Sequence, residues 1–273
     1  MFKKSLMAGA IAATLGASGL ALADDAASPV SFTGNVGLYS QYVFRGLTQS
    51  REKPAVQGGF DYAYNFGPAS FYLGTWGSNI SWLSDFGTYA SSSLEWDWYG
   101  GFRGNFGSSD FTYDVGFLYY YYPGTVNPGA NSGDTQEIYG ALGWKWITAK
   151  YSYSVGNKTF AVDDTSGTWY LDLSASVPFG DTGLTGFAHW GDQKYSGTAA
   201  FLVGSGIDND NLFSYEDWKI GLSYDLSKLS KTLSGTTIGT YYTDTDANPL
   251  GYTDLGGKNI GDSQWVVYLQ KSL

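Results

Sequence analysis

Along most of this chain apolar and polar residues alternate one for one, in segments of about ten residues separated by polar or glycine-rich connections. In the run from Phe111 to Tyr121 every odd position is aromatic or Val, while Thr112, Asp114, Gly116, Leu118 and Tyr120 fill the even ones. Successive side chains of a strand point to opposite faces, so one face is apolar from end to end and the other holds a carboxylate. The same pattern predicts twelve strands, over residues 32–45, 55–65, 70–78, 93–103, 111–121, 136–146, 148–157, 168–177, 184–191, 215–225, 236–244 and 263–273. In the first, Phe32, Val36, Leu38, Tyr42 and Phe44 share the apolar face, opposite Asn35, Tyr39, Gln41 and Arg45.

The connections alternate in length. Short ones follow the second, fourth, sixth, eighth and tenth strands; long ones, such as 46–54, 79–92 and 192–214, follow the others. Short turns on one side and long loops on the other are the pattern of an outer-membrane barrel. The fold expected is therefore all-β: a transmembrane antiparallel up-and-down β-barrel of about 12 strands. The fifth segment, ten steps of roughly 3.3 Å tilted by about 40°, rises about 25 Å, the height of a lipid-facing band. Its terminal aromatics would lie in interfacial girdles, joined at the upper ring by Tyr42, Phe44 and Trp265. Twelve strands also imply a backbone radius of roughly 12 Å. The glycines of inward parity, Gly37, Gly59, Gly74, Gly116, Gly221 and Gly239 among them, are expected to leave room for water in a narrow open channel.

The leading segment adds an address. Met1-Phe2-Lys3-Lys4 precedes an apolar run to Leu22 and the small-residue site Ala21-Leu22-Ala23, the form of a secretory signal peptide cleaved after Ala23. Residues 1–23 are the leader and 24–273 the barrel, expected in the bacterial cell outer membrane. After Leu22 the sequence has no stretch of about 18 apolar residues, so any crossing of the membrane falls to strands. Cysteine is absent, which excludes disulfide staples, thiol chemistry and cysteine metal sites. Without Lys3 and Lys4 the chain carries 13 basic against 25 acidic side chains, which disfavours nucleic acid as a partner.

The stretch Ser40-Gln41-Tyr42-Val43-Phe44-Arg45-Gly46-Leu47-Thr48-Gln49-Ser50, with Pro54-Ala55-Val56-Gln57-Gly58-Gly59-Phe60-Asp61-Tyr62 after it, resembles the opening signature of the TorF family of porins. Tyr113-Asp114-Val115-Gly116, Tyr120-Tyr121-Tyr122-Pro123-Gly124, Glu137-Ile138-Tyr139 and Tyr242-Thr243-Asp244-Thr245-Asp246 are similar to later parts of that family. The resemblance implies an outer-membrane channel with no settled substrate and no assigned site residues.

Inward parity collects the charged residues. Arg45, Asp61, Glu95, Asp97, Arg103, Asp114, Glu137, Lys145, Lys150, Asp172, Asp217, Lys219 and Asp225 all take it. Lys or Arg on the lipid face would cost about 2–4 kcal/mol near mid-membrane, so one-sided placement itself supports a barrel. A mixed-charge lumen would orient permeating solutes; alternatively the charges pair across strands and partly close the interior. The leading function expected is passive diffusion of small hydrophilic solutes, mildly cation-preferring because the inward set carries an acidic excess. The partners are outer-membrane lipid and those solutes, with no cofactor. A second reading is a closed structural or surface-binding barrel that acts through its external loops. A third, a barrel hydrolase, would need the single histidine, His189, to serve Ser174 or Ser176 on the neighbouring strand.

Overall fold

The computed structural model describes residues 29–273, so the expected leader, residues 1–23, lies outside the described residues. Twelve antiparallel strands close into one barrel, each paired with its neighbours in sequence. They are β1 Val30–Tyr39, β2 Ala55–Asn65, β3 Ala69–Asn79, β4 Leu94–Asn105, β5 Phe111–Tyr121 and β6 Thr135–Trp144, then β7 Ile147–Ser154, β8 Trp169–Pro178, β9 Leu184–Lys194, β10 Tyr215–Asp225, β11 Thr236–Thr245 and β12 Gln264–Ser272. The cylinder closes between β1 and β12, in register from Asn35 opposite Ser272 to Tyr39 opposite Tyr268. Closure leaves no strand edge unpaired, which is the condition for placing a sheet in hydrocarbon.

The outward parity is apolar all round. Phe32, Leu38, Phe60, Trp98, Val115, Ile138, Leu173, Ile220 and Trp265 all point away from the lumen and are exposed. A belt of this kind is unfavourable in water and matches the interior of a bilayer. Inside, the glycines turn out to be seats for rings. Gly74 lies opposite Tyr99, Gly116 opposite Tyr139, Gly221 opposite Phe187 and Gly239 opposite Tyr268. In each pair a Cβ on the glycine would collide with the facing ring. The expectation that these glycines hold space for water is therefore corrected: aromatic rings lie flat on them and occupy that space.

The first strand is shorter than the alternation implies. β1 stops at Tyr39, and the first long loop, L1 (residues 40–54), folds into the lumen. Ser40 starts the turn inward, its hydroxyl accepting from the Val267 amide at 3.0 Å. Gln41 then donates to Gln264 Oε1 at 2.9 Å. L1 forms a small hairpin in which Val43 pairs with Thr48 and Phe44 with Leu47. Its two turn residues, Arg45 at φ 45° and Gly46 at φ 77°, are both left-handed, as a two-residue hairpin turn that follows strand twist requires. A Cβ on Gly46 would collide with Asp217 and Thr245, so the hairpin tip is pressed against β10 and β11. Tyr42 and Phe44, expected in the outer aromatic girdle, are instead buried inside the barrel.

A second hairpin, in the fourth long loop L4 (residues 155–168), meets the first. Lys158–Thr159 pairs with Val162–Asp163 around Phe160 and Ala161. The Phe160 ring packs edge-on to Phe44 at 5.7 Å and Tyr120 at 5.1 Å. At the opposite end of the barrel the turns are short. Lys145 belongs to one of them: β6 ends at Trp144, and Lys145 reaches Asp110 at 3.8 Å with both side chains substantially exposed. Its expected place in the lumen is thus corrected to the turn rim.

Candidate functional site

L1 turns the loop-side half of the lumen into a packed layer. Inward side chains from many strands are buried against it, including Gln57, Trp76, Glu95, Tyr120, Glu137, Ser154, Tyr170, Gln193, Asp217, Thr243 and Gln264. The polar groups of this layer define the candidate site.

Arg45 occupies one corner. The hairpin turn carries it across the lumen, where Nη2 donates to Glu137 Oε2 at 2.8 Å and Oε1 at 3.0 Å. Nη1 donates to Gln193 Oε1 at 2.8 Å. The guanidinium lies 4.1 Å from the Tyr170 ring centre and 4.8 Å from that of Phe44, within cation–π range. Burial opposes its charge, but the Glu137 carboxylate outweighs that and holds the Arg45 pKa above the ordinary arginine value. Arg45 joins L1 to β6, β8 and β9 through a single side chain.

Beside it sits a histidine cluster. His189 Nε2 is 2.9 Å from Asp217 Oδ1, and Nδ1 is 3.1 Å from Asp172 Oδ2. Tyr170 donates to Asp217 Oδ2 at 2.7 Å. Ser174 lies 3.2 Å from Nδ1 but donates to Asp172 Oδ1 at 2.6 Å. An imidazole that donates to a carboxylate from each nitrogen has no lone pair with which to take a serine proton. Both ring nitrogens face carboxylates, and Ser174 gives its hydroxyl hydrogen to Asp172 rather than to the imidazole.

A third corner is different. Glu95 and Asp97 are adjacent inward residues of β4, and both are 0% exposed. Glu95 accepts from the Tyr42 hydroxyl of L1 at 2.7 Å. Its other oxygen, and both oxygens of Asp97, have no protein hydrogen-bond partner. Burial, then the two carboxylates, push the Tyr42 phenol well above its usual range, so it stays a donor.

The turn-side half of the lumen holds the remaining expected residues. Asp61 accepts from Tyr99 at 2.9 Å. Asp114 accepts from Tyr72 at 2.6 Å, and Tyr72 also bonds Tyr139. Arg103 pairs in register with Asp114 and lies 4.7 Å from the Tyr72 ring centre. Lys150 sits over Tyr139 at 4.1 Å and Lys219 over Tyr241 at 5.3 Å. Asp225 ends β10 and accepts from the Ser227 amide at 2.9 Å, so it serves the turn. Among the described residues no group of three or more histidine or acidic side chains is arranged to hold a metal ion.

Above the packed layer the long loops line a partly open chamber of about 340 Å³. Its floor is L1, with Arg45 and Gln193; its walls include Trp82, Phe160, Phe213 and Tyr252. Arg45 is the one charged side chain among its lining residues. Sequence reasoning missed Gln193, which lies beyond the expected end of the ninth strand at residue 191. It also missed the chamber, whose walls come from loops that share no periodicity.

Among solved structures the chain is similar to KdgM porin, with a TM-score of 0.47 and 9% identity over 88% of this chain and 99% of that one. It is also similar to OprD of Pseudomonas aeruginosa, with a TM-score of 0.42 and 12% identity over 89% of this chain and 66% of that one. OmpF of Salmonella typhi, solved with daunomycin, gives a TM-score of 0.41 and 11% identity over 89% and 97%. No curated protein sequence matches the chain. Residues 23–273 match Gcw_chp, described as a bacterial protein of unknown function, and the chain belongs to that family.

Proposed function

We propose that this protein is a bacterial outer-membrane channel for small solutes, held closed in this conformation by L1. The observation that carries the reading is a closed barrel, apolar outside and charged inside, with one short hairpin folded into its lumen and its tip held there by the buried Arg45–Glu137 pair. Hydrogen bonds, ion pairs and ring packing hold that hairpin, so its release would open the lumen without disturbing the wall. The apolar belt, the leader and the TorF resemblance support an outer-membrane location, with lipid as the surrounding partner. The wall residues that remain after L1 moves carry more acid than base, which supports a mild cation preference in the open state.

Reconstitution in planar bilayers tests this. The wild type is expected to be mostly closed with brief steps of conductance, and a variant lacking residues 42–49 to conduct steadily. In a KCl gradient the steady channel should prefer potassium, and Glu95→Gln with Asp97→Asn should shift its reversal potential toward chloride. A folded L1-deleted barrel that never conducts sinks the proposal. The packing of the lumen favours a second reading, a permanently closed barrel that acts through its loops, and that outcome would select it.

A further inference from the structure

We infer that the loop chamber is a binding site for an amphipathic ring-bearing solute: an apolar ring among the aromatic walls, and an oxygen acceptor on the Arg45 floor. The inference names the solute class of the channel proposed above and rests on that reading only for transport; binding stands by itself.

Three observations converge. The first is size: about 340 Å³ falls in the range of pockets for small organic ligands, and would hold one or two rings with a short polar arm. The second is the wall. Phe160, Phe213, Trp82 and Tyr252 come from four different loops, and no carboxylate lines the chamber, although the chain carries 25 acidic residues. Loops this acidic overall have kept charge off one concave surface, which is the composition of an apolar pocket and not of a solvated funnel. An ammonium standing on the floor would meet the Arg45 cation and no carboxylate.

The third observation is the floor. A guanidinium has five N–H groups. Arg45 directs Nη2 to Glu137 and Tyr120 and one Nη1 hydrogen to Gln193. These bonds use Nη2 and one hydrogen of Nη1, and the Nε hydrogen and the second Nη1 hydrogen are the donors assigned to the solute. Glu137 balances the charge, so the floor offers donors without requiring an anion; a carboxylate or a hydroxyl oxygen meets the same need. The position also matters. A solute standing on Arg45 touches L1, and through Phe160 and Val162 it touches the L4 hairpin that packs on Phe44. The site lies against the two elements that close the barrel.

The test is binding to the refolded full-length barrel in nanodiscs, read by saturation-transfer NMR and calorimetry. The probes are 3-phenylpropionate, 3-phenylpropanol and 3-phenylpropylamine, with propionate and glucose as controls. The acid and the alcohol should both bind at least tenfold more tightly than propionate, glucose and the amine. Thr88→Trp, which fills the chamber, should abolish binding, and Phe201→Ser, at an exposed position of the wall, should weaken it about threefold without unfolding the barrel. Binding of the acid alone, or of the amine as tightly as the alcohol, overturns the acceptor role given to the floor. Glucose binding as tightly as the ring probes, or ring-probe binding unchanged by Thr88→Trp, overturns the site. Binding by a barrel that never conducts would leave this inference intact and remove the channel reading; conductance without binding would do the reverse.

Discussion

Two corners of the layer beneath L1 hold buried ionisable groups in opposite ways. At the Arg45 corner the cation meets a carboxylate, an amide oxygen and two aromatic faces. At the Glu95–Asp97 corner two carboxyl groups lie equally deep; Glu95 takes the Tyr42 phenol of L1, while Asp97 has no hydrogen-bond partner among the described residues. A buried ion with matched partners is tolerated, whereas an unmatched one costs several kcal/mol. L1 is therefore pulled in at one corner and penalised at the other. Away from these corners, Arg51 with Asp254 at 2.9 Å and Glu52 with Lys258 at 2.8 Å tie the far end of L1 to the last long loop.

That contrast is sharpest when each corner is altered alone. Arg45→Ala removes the cation and strands Glu137 beneath L1, which should cost the docked state about 3–5 kcal/mol. The expected result is near-continuous conductance and rapid trypsin cleavage after Arg51, while the barrel strands stay uncut. Slow cleavage matching the wild type would mean that the Arg45 corner does not hold L1. Asp97→Asn acts in the other direction. It replaces an unmatched buried carboxyl group at nearly constant shape and should strengthen docking by about 1–3 kcal/mol, seen as fewer openings in the bilayer and slower amide exchange in residues 41–50. An increase in openings would show that Asp97 has a partner of its own.

Away from both corners the effects should separate from L1. Gly74→Ala forces the Tyr99 ring off its seat and breaks its bond to Asp61, an overpacking expected to cost about 1–3 kcal/mol. It should lower the unfolding midpoint in urea without altering protease access to L1. Smallest of all is Lys145→Ala at the turn rim. Its pair with Asp110 is long and exposed, so the change should fall between about 0 and 1 kcal/mol. A larger loss in the same urea titration would restore Lys145 to a lumen role.

What the sequence determined by itself is the wall. β2, β5 and β10 begin and end where the alternation places them, because lipid outside and side chains inside make every second residue answer to a different solvent. The tertiary structure decided the contents of the barrel. Tyr42 and Phe44 continue the apolar parity of Val36 and Leu38, and an apolar position does not say whether its dry surroundings are hydrocarbon or the packed interior of a lumen. Arg45-Gly46 between Val43-Phe44 and Leu47-Thr48 did carry a local sign of the hairpin, in the glycine that a two-residue left-handed turn favours. Where that hairpin lands depended on Glu137 and Gln193, about 90 and 150 residues downstream. The glycines follow the same logic. A residue without a side chain does not encode what fills the space above it, and only the cross-strand register set Tyr99, Tyr139, Phe187 and Tyr268 there in place of water.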